Sequence, residues 1–105
     1  MTITDIFQLA IDFKGRGNIE MTLGLLKEVS ARDFFFGPAH YELGDFYFQT
    51  GNLGQSKNEY IHFLNSPVTG VTIELIGQAR TRITEIDKKM GLQPVLPPAP
   101  VPNQK

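Results

Sequence analysis

The sequence predicts an all-α protein of five helices, and three observations support this fold class. Apolar residues recur at three- and four-residue steps through most of the first 90 positions, which is the spacing of one helical face. Glycine and proline fall between these periodic stretches, and five of the seven prolines follow Gly91. The β-branched runs have no turn-bounded partner with which to pair. With 105 residues, we expect a single small domain.

The first two predicted helices cover about residues 3–15 and 18–31. Their periodic apolar residues are Ile6, Leu9, Ala10 and Phe13, followed by Leu23, Leu26 and Val29. Gly17 lies between the helices and allows the left-handed backbone conformation that a tight turn requires. Asn18 can cap the second helix through its side-chain oxygen. The two helices are therefore expected to form a hairpin.

The next two predicted helices, about residues 38–50 and 53–65, repeat this organisation. Pro38 marks the start of the pair. The periodic residues of the two helices are Tyr41, Leu43, Gly44, Tyr47, Tyr60, Phe63 and Leu64. Gly51 and Asn52 occupy the turn, where we expect them to act as Gly17 and Asn18 do.

The last predicted helix covers about residues 71–90 and ends at Gly91. Its apolar stripe consists of Ile76, Ala79, Ile83, Ile86 and Met90. The residues expected to face water are Arg80, Arg82, Glu85, Asp87, Lys88 and Lys89. An apolar stripe beside a charged face is typical of a helix that caps a stack of helices.

A shift of 34 residues aligns the two predicted hairpins without a gap. Gly17-Asn18 falls on Gly51-Asn52, and small Thr22 falls on small Ser56. The other matched pairs are Leu9 with Leu43, Ala10 with Gly44, Phe13 with Tyr47, Ile19 with Leu53, Leu26 with Tyr60 and Val29 with Phe63. Small residues at Ala10, Gly44, Thr22 and Ser56 would let the two helices of each hairpin approach closely.

These matched positions resemble the tetratricopeptide repeat. The second copy carries the motif in His40, Leu43, Gly44, Tyr47, Gly51, Ser56 and Tyr60, and the first copy is a degenerate one. The resemblance implies a right-handed α-solenoid with repeats at about residues 3–36 and 37–68 and a capping helix at about 71–90. The helical domain would then span residues 1–91, followed by an extended or disordered Pro-rich tail over 92–105.

The resemblance also implies a non-catalytic adaptor or assembly-factor scaffold. In this family, the first helices of successive repeats line a concave groove that holds a partner segment. The matching positions here are Phe7, Ile11 and Lys14 from the first repeat and Tyr41, Asp45 and Phe48 from the second. We expect apolar anchors to dominate binding, with Lys14 and Asp45 setting the orientation of the partner.

A second hypothesis concerns Phe34, Phe35 and Phe36, which connect the repeats. Three consecutive rings cannot all point inward from one short turn, so these residues serve inter-repeat packing, a protein interface, or both. An interface here, together with the tail, would suit a structural accessory subunit of a larger complex or a homo-oligomer. The tail itself fits either a ligand for a proline-binding groove or a solubilising end.

The composition argues against other classes of function. The chain has no cysteine, which excludes disulfides, thiolate metal sites and thiol nucleophiles, and neither His40 nor His62 has further ligands at metal-binding spacing. We therefore expect no metal, no cofactor and no enzyme activity. A net charge of −1 argues against nucleic-acid binding, and the apolar runs are too short for membrane insertion. The N-terminus has no basic leader, so a cytoplasmic location is expected.

Overall fold

The computed structural model describes residues 1–67 and 73–91, which form five α-helices. The helices are α1 (Ile3–Gly15), α2 (Ile19–Arg32), α3 (Gly37–Gln49), α4 (Leu53–Leu64) and α5 (Ile73–Lys89). No strand occurs within the described residues. The all-α prediction is therefore confirmed. The predicted Pro-rich tail over 92–105 and the first two positions of the predicted last helix lie outside the described residues.

The helix ends follow from local sequence. Thr2 and Asp5 form a capping box at the start of α1, since the Asp5 N–H donates to Thr2 Oγ1 over 3.1 Å and the Thr2 N–H donates to Asp5 Oδ2 over 3.2 Å. Asn18 caps α2 as predicted, because its Oδ1 accepts from the Met21 N–H at 3.2 Å. The predicted Asn52 cap is wrong: the side-chain amide donates instead to Thr50 Oγ1, 3.4 Å away.

The glycine turns are confirmed by their backbone angles. Gly17 has φ +78° and Gly51 has φ +85°, both in the left-handed region that side chains with a Cβ disfavour. Gly91, two residues after the end of α5, has φ +72°, as a helix-terminating glycine should. The two hairpin turns therefore share one conformation at equivalent positions of the sequence.

Helices that are consecutive in the chain pack against each other. One hydrophobic cluster combines buried residues of α1, α2 and α3, among them Ile6, Leu26 and Leu43. A second cluster combines buried residues of α3, α4 and α5, centred on Tyr60 and Phe63. Because α3 contributes to both clusters, it ties the two halves of the domain together.

The close approach predicted within the second hairpin is confirmed. A Cβ placed on Gly44 of α3 would lie 2.8 Å from the ring of Tyr60 in α4. The Ser56 hydroxyl donates to the Gly44 carbonyl over 2.7 Å, and Tyr60 is fully buried. Burial and a hydrogen bond to the Asp45 carboxylate raise the pKa of Tyr60, so its hydroxyl remains a donor.

The predicted apolar stripe of α5 faces α4 for most of its length. Ala79 and Ile86 are fully buried, whereas Met90 at the end of the stripe is exposed. The prediction that Asp87 faces water is wrong: its side chain has 0% exposure, and it accepts a hydrogen bond from Lys57 Nζ at 2.7 Å. Position 87 follows Ile83 by four residues, which places it on the same packed face.

No described helix is both long enough and apolar enough to cross a membrane.

Candidate partner-binding surfaces

On α1, side chains predicted to line the groove already make contacts within the chain. Phe7 is half-buried, and its ring meets the ring of Phe36 edge-on with centroids 5.3 Å apart. Ile11 is also half-buried, and exposed Lys14 places its Nζ 2.6 Å from Glu42 Oε1. The Lys14 charge is thus already paired with α3, which leaves it a weaker guide for a partner.

The α3 part of the groove is largely covered by α5. Tyr41 is 6% exposed, and its hydroxyl donates to Gln78 Oε1 over 2.8 Å. The Arg82 guanidinium lies 4.3 Å from the centroid of the Phe48 ring, so Arg82 does not simply face water as predicted. Asp45 accepts the hydrogen bond of Tyr60. These α3 side chains therefore serve intramolecular contacts, and Tyr41 offers a partner almost no surface.

The cleft that remains between α1, α2 and α3 is narrow. It measures about 50 Å³, and its lining residues are Lys14, Ile19, Thr22, Leu26, Glu42, Asp45, Phe46 and Gln49. A partner side chain would enter it only if the helices moved apart.

The connection between α2 and α3, residues 33–36, presents a larger apolar surface. Phe36 turns inward onto Phe7, whereas Phe34 and Phe35 are 49% and 64% exposed. Of the two roles predicted for the three rings, Phe36 serves packing within the chain. Phe34 and Phe35 face solvent, where a partner could contact them. We call Phe34 and Phe35 the aromatic patch.

The aromatic patch rests on a network of rings and hydrogen bonds. Phe34 lies edge-on to His40 and His62, with centroid distances of 5.0 and 4.8 Å, and Phe35 lies edge-on to Phe34 at 5.6 Å. The Phe35 N–H donates to Asp33 Oδ1 over 3.0 Å. The Phe34 ring therefore packs against two neighbouring rings, and the Phe35 ring rests on Phe34.

A depression of about 250 Å³ lies beside the aromatic patch. Its lining residues are Asp33, Phe35, Phe36, Gly37 and Pro67. It is several times larger than the cleft between α1 and α3, and its walls are mainly apolar. An apolar side chain of a partner fits a depression of this kind, which is how most interface anchors bind.

His40 lies directly beneath the aromatic patch and is 1% exposed. Its Nδ1 lies 2.7 Å from Glu59 Oε1, and its Nε2 lies 2.6 Å from the Phe34 carbonyl oxygen. Burial lowers the pKa of His40, but the hydrogen bonds to Glu59 and Phe34 outweigh it, and the net pKa is raised. In the sequence, His40 stands at a position of the repeat motif. Its contact with Glu59, 19 residues away, has no local sequence pattern that would predict it.

His62 of α4 is half-buried against the Phe34 ring. The acidic pair Glu42 and Asp45 contacts Lys14 and Tyr60. Over residues 1–67 and 73–91, no three histidine, cysteine, aspartate or glutamate side chains form a cluster that could hold a metal ion.

No protein-family model matches the chain, and no curated protein or solved structure is significantly similar to it.

Proposed function

We propose that this protein is a non-catalytic protein–protein interaction module, an adaptor or assembly-factor scaffold of the tetratricopeptide type. The observation that carries the proposal is the aromatic patch: two adjacent, solvent-facing phenylalanines beside an apolar depression of about 250 Å³. Exposed apolar surface of this kind on a small domain commonly marks a site for another protein.

The equivalence of the two hairpins supports the repeat assignment. Gly17 and Gly51 both have positive φ in the turn. Thr22 and Ser56, which are 34 positions apart, are both buried on the second helix of their hairpin. These two matched pairs therefore occupy equivalent structural positions in each copy. A short right-handed solenoid of two repeats, with α5 as its cap, is the architecture that we propose on this basis.

The aromatic patch is a better candidate for the partner surface than the groove along α1 and α3. Tyr41 and Phe48 already contact α5, and the cleft next to Lys14 and Asp45 measures about 50 Å³. By contrast, a partner that covers the exposed rings of Phe34 and Phe35 would remove their apolar surface from water, which favours binding. We therefore propose that an apolar segment of a partner docks on the patch.

Quantitative affinity purification tests this proposal. The tagged 105-residue chain is compared with a patch variant, Phe34→Ser with Phe35→Ser, and with a matched control, Met21→Ser with Met90→Ser. Met21 and Met90 are exposed apolar residues outside the patch, so the control changes the same kind of surface elsewhere. Circular dichroism verifies that all three proteins remain helical.

We expect a partner retained by the wild type and the control, with about tenfold less bound to the patch variant, since aromatic anchors dominate interface energies. Equal retention by the patch variant would show that the patch is not the docking surface. Absence of any specifically retained protein in all three samples would contradict the interaction function itself.

A second function, a structural accessory subunit or homo-oligomer, is favoured by the exposure of two large rings on so small a domain. Light scattering after size exclusion distinguishes it from the adaptor. A monomer of 11.8 kDa supports the adaptor. A defined oligomer that dissociates in the Phe34→Ser, Phe35→Ser variant supports the structural subunit.

A further inference from the structure

His40 connects three parts of the fold at one buried point. It belongs to α3, its Nδ1 contacts Glu59 of α4 at 2.7 Å, and its Nε2 contacts the Phe34 carbonyl of the connection at 2.6 Å. The imidazole also lies against the Phe34 ring, 5.0 Å between centroids. The position of the aromatic patch therefore depends on how many hydrogen bonds the His40 imidazole can donate.

Both atoms that face the imidazole nitrogens are acceptors. A carboxylate oxygen and a carbonyl oxygen each require an N–H, and a neutral imidazole carries only one. Only the doubly protonated ring of His40 satisfies both contacts. When the ring is neutral, one nitrogen lone pair faces an oxygen, and that contact becomes repulsive.

The contact that is lost on deprotonation follows from the two acceptors. A hydrogen bond to a charged carboxylate is stronger than one to a neutral carbonyl. The remaining proton of neutral His40 therefore stays on Nδ1, towards Glu59, and the Phe34 carbonyl loses its donor. This carbonyl belongs to the same residue as one of the two exposed rings.

We propose that protonation of His40 fixes the connection over residues 33–36, so that the charged imidazole holds the aromatic patch in place and the neutral imidazole releases it. The device is a proton-dependent latch built from His40, Glu59 and the Phe34 carbonyl. Its effect on partner binding rests on the proposed function, whereas the latch itself does not require a partner.

Other ionisable groups around His40 are Glu59 and His62 on α4 and Asp33 in the connection. The His62 ring lies 5.2 Å from that of His40, and a charge on it would oppose the charge on His40. Asp33 is an acidic group whose carboxylate accepts the Phe35 N–H. Glu59 is therefore the group whose charge favours the latched state, and the raised pKa of His40 agrees with this arrangement.

Nuclear magnetic resonance of the 105-residue chain tests the latch without any partner. The imidazole resonances of His40 and His62 are followed from pH 5.5 to 8.5, together with the backbone amides of residues 33–36. Amide exchange is measured over the same range and expressed as protection factors, because intrinsic exchange itself accelerates with pH.

We expect His40 to titrate above the ordinary histidine pKa of about 6.5, and the amide shifts of the connection to move with the same midpoint. The protection factor of the Phe36 amide, which bonds to the Asp33 carbonyl, should fall about fivefold as one supporting hydrogen bond is lost. A His40 midpoint at or below the ordinary value would overturn the proposal, as would titration of His40 without any change in the connection.

Two variants identify the side chains responsible for the pH-dependent change in the connection. Glu59→Gln keeps an acceptor but removes the charge, so it should lower the His40 midpoint. His62→Gln should keep the movement of the connection, with a His40 midpoint no lower than in the wild type. If the connection instead follows pH in His40→Gln and ceases to do so in His62→Gln, the latch is assigned to the wrong histidine. Failure of partner capture in the purification described above leaves these results unaffected.

Discussion

Replacing Gly44 by alanine tests the packing between α3 and α4 at its closest point. The new Cβ would lie 2.8 Å from Cδ1 and Cε1 of Tyr60. The ring cannot simply swing away, because it is fully buried and its hydroxyl is bound by Asp45. The two helices must therefore separate by a few tenths of an ångström or more, which disturbs both the ring and the Ser56 hydrogen bond to the Gly44 carbonyl.

Two opposing terms set the magnitude of the effect. Overpacking of a buried site costs about 1–3 kcal/mol. Alanine in place of glycine within a helix returns about 1 kcal/mol. The net loss should be up to about 2 kcal/mol, which lowers the Tm of a domain of this size by up to about 16 °C. Gly44→Leu carries a far larger side chain and should prevent folding.

Thermal and urea unfolding followed by circular dichroism measure this loss. Gly24→Ala in α2 is the matched control, because a Cβ on Gly24 meets nothing within 4 Å. The control should gain up to about 1 kcal/mol from helix propensity alone. If Gly44→Ala is as stable as Gly24→Ala, the close approach of α3 and α4 is wrong.

Three further predictions concern the turns, the α5 ion pair and pH. Gly17→Ala should lose about 1–2 kcal/mol in urea unfolding because its φ is +78°, whereas Gly15→Ala should lose nothing; equal effects would refute the turn geometry. Asp87→Asn should lose about 1–3 kcal/mol, because it removes the charge that pairs with Lys57 in a mostly buried site but keeps an acceptor, and an unchanged urea midpoint would count against that pair. The raised pKa of His40 stabilises the fold fully below its unfolded pKa of about 6.5, and this stabilisation is lost as pH rises through the folded pKa. Urea midpoints should therefore fall from pH 6 to pH 8 in the wild type and much less in His40→Gln; parallel curves would contradict this.

Much of the fold was predictable because it depends on local or periodic signals. Helical faces repeat every three or four residues, and the turns need glycine at Gly17 and Gly51 for a backbone reason alone. The close contact at Gly44 was also predictable, because the 34-residue period places small residues at equivalent positions of both hairpins, Ala10 and Gly44 on the first helices and Thr22 and Ser56 on the second. One exposed ring, at least, was expected in the connection on steric grounds.

The parts that were not predictable depend on where distant side chains meet. The 34-residue period does not extend beyond residue 67, so it set no register for α5, and neither buried Asp87 nor the covering of Tyr41 and Phe48 was foreseen. The contact between His40 and Glu59 joins different helices and leaves no local pattern. The predicted groove was placed by analogy with repeat positions, which take no account of the side chains that α5 contributes.

Docking of a partner on the aromatic patch is the central proposal, and a binding titration tests it most directly. The partner retained in the affinity purification is purified and titrated calorimetrically into the wild type, the Phe34→Ser, Phe35→Ser variant and the Met21→Ser, Met90→Ser control. We predict a Kd at least about tenfold weaker for the patch variant, and an unchanged Kd for the control. The same Kd for all three proteins would show that the aromatic patch is not the docking surface.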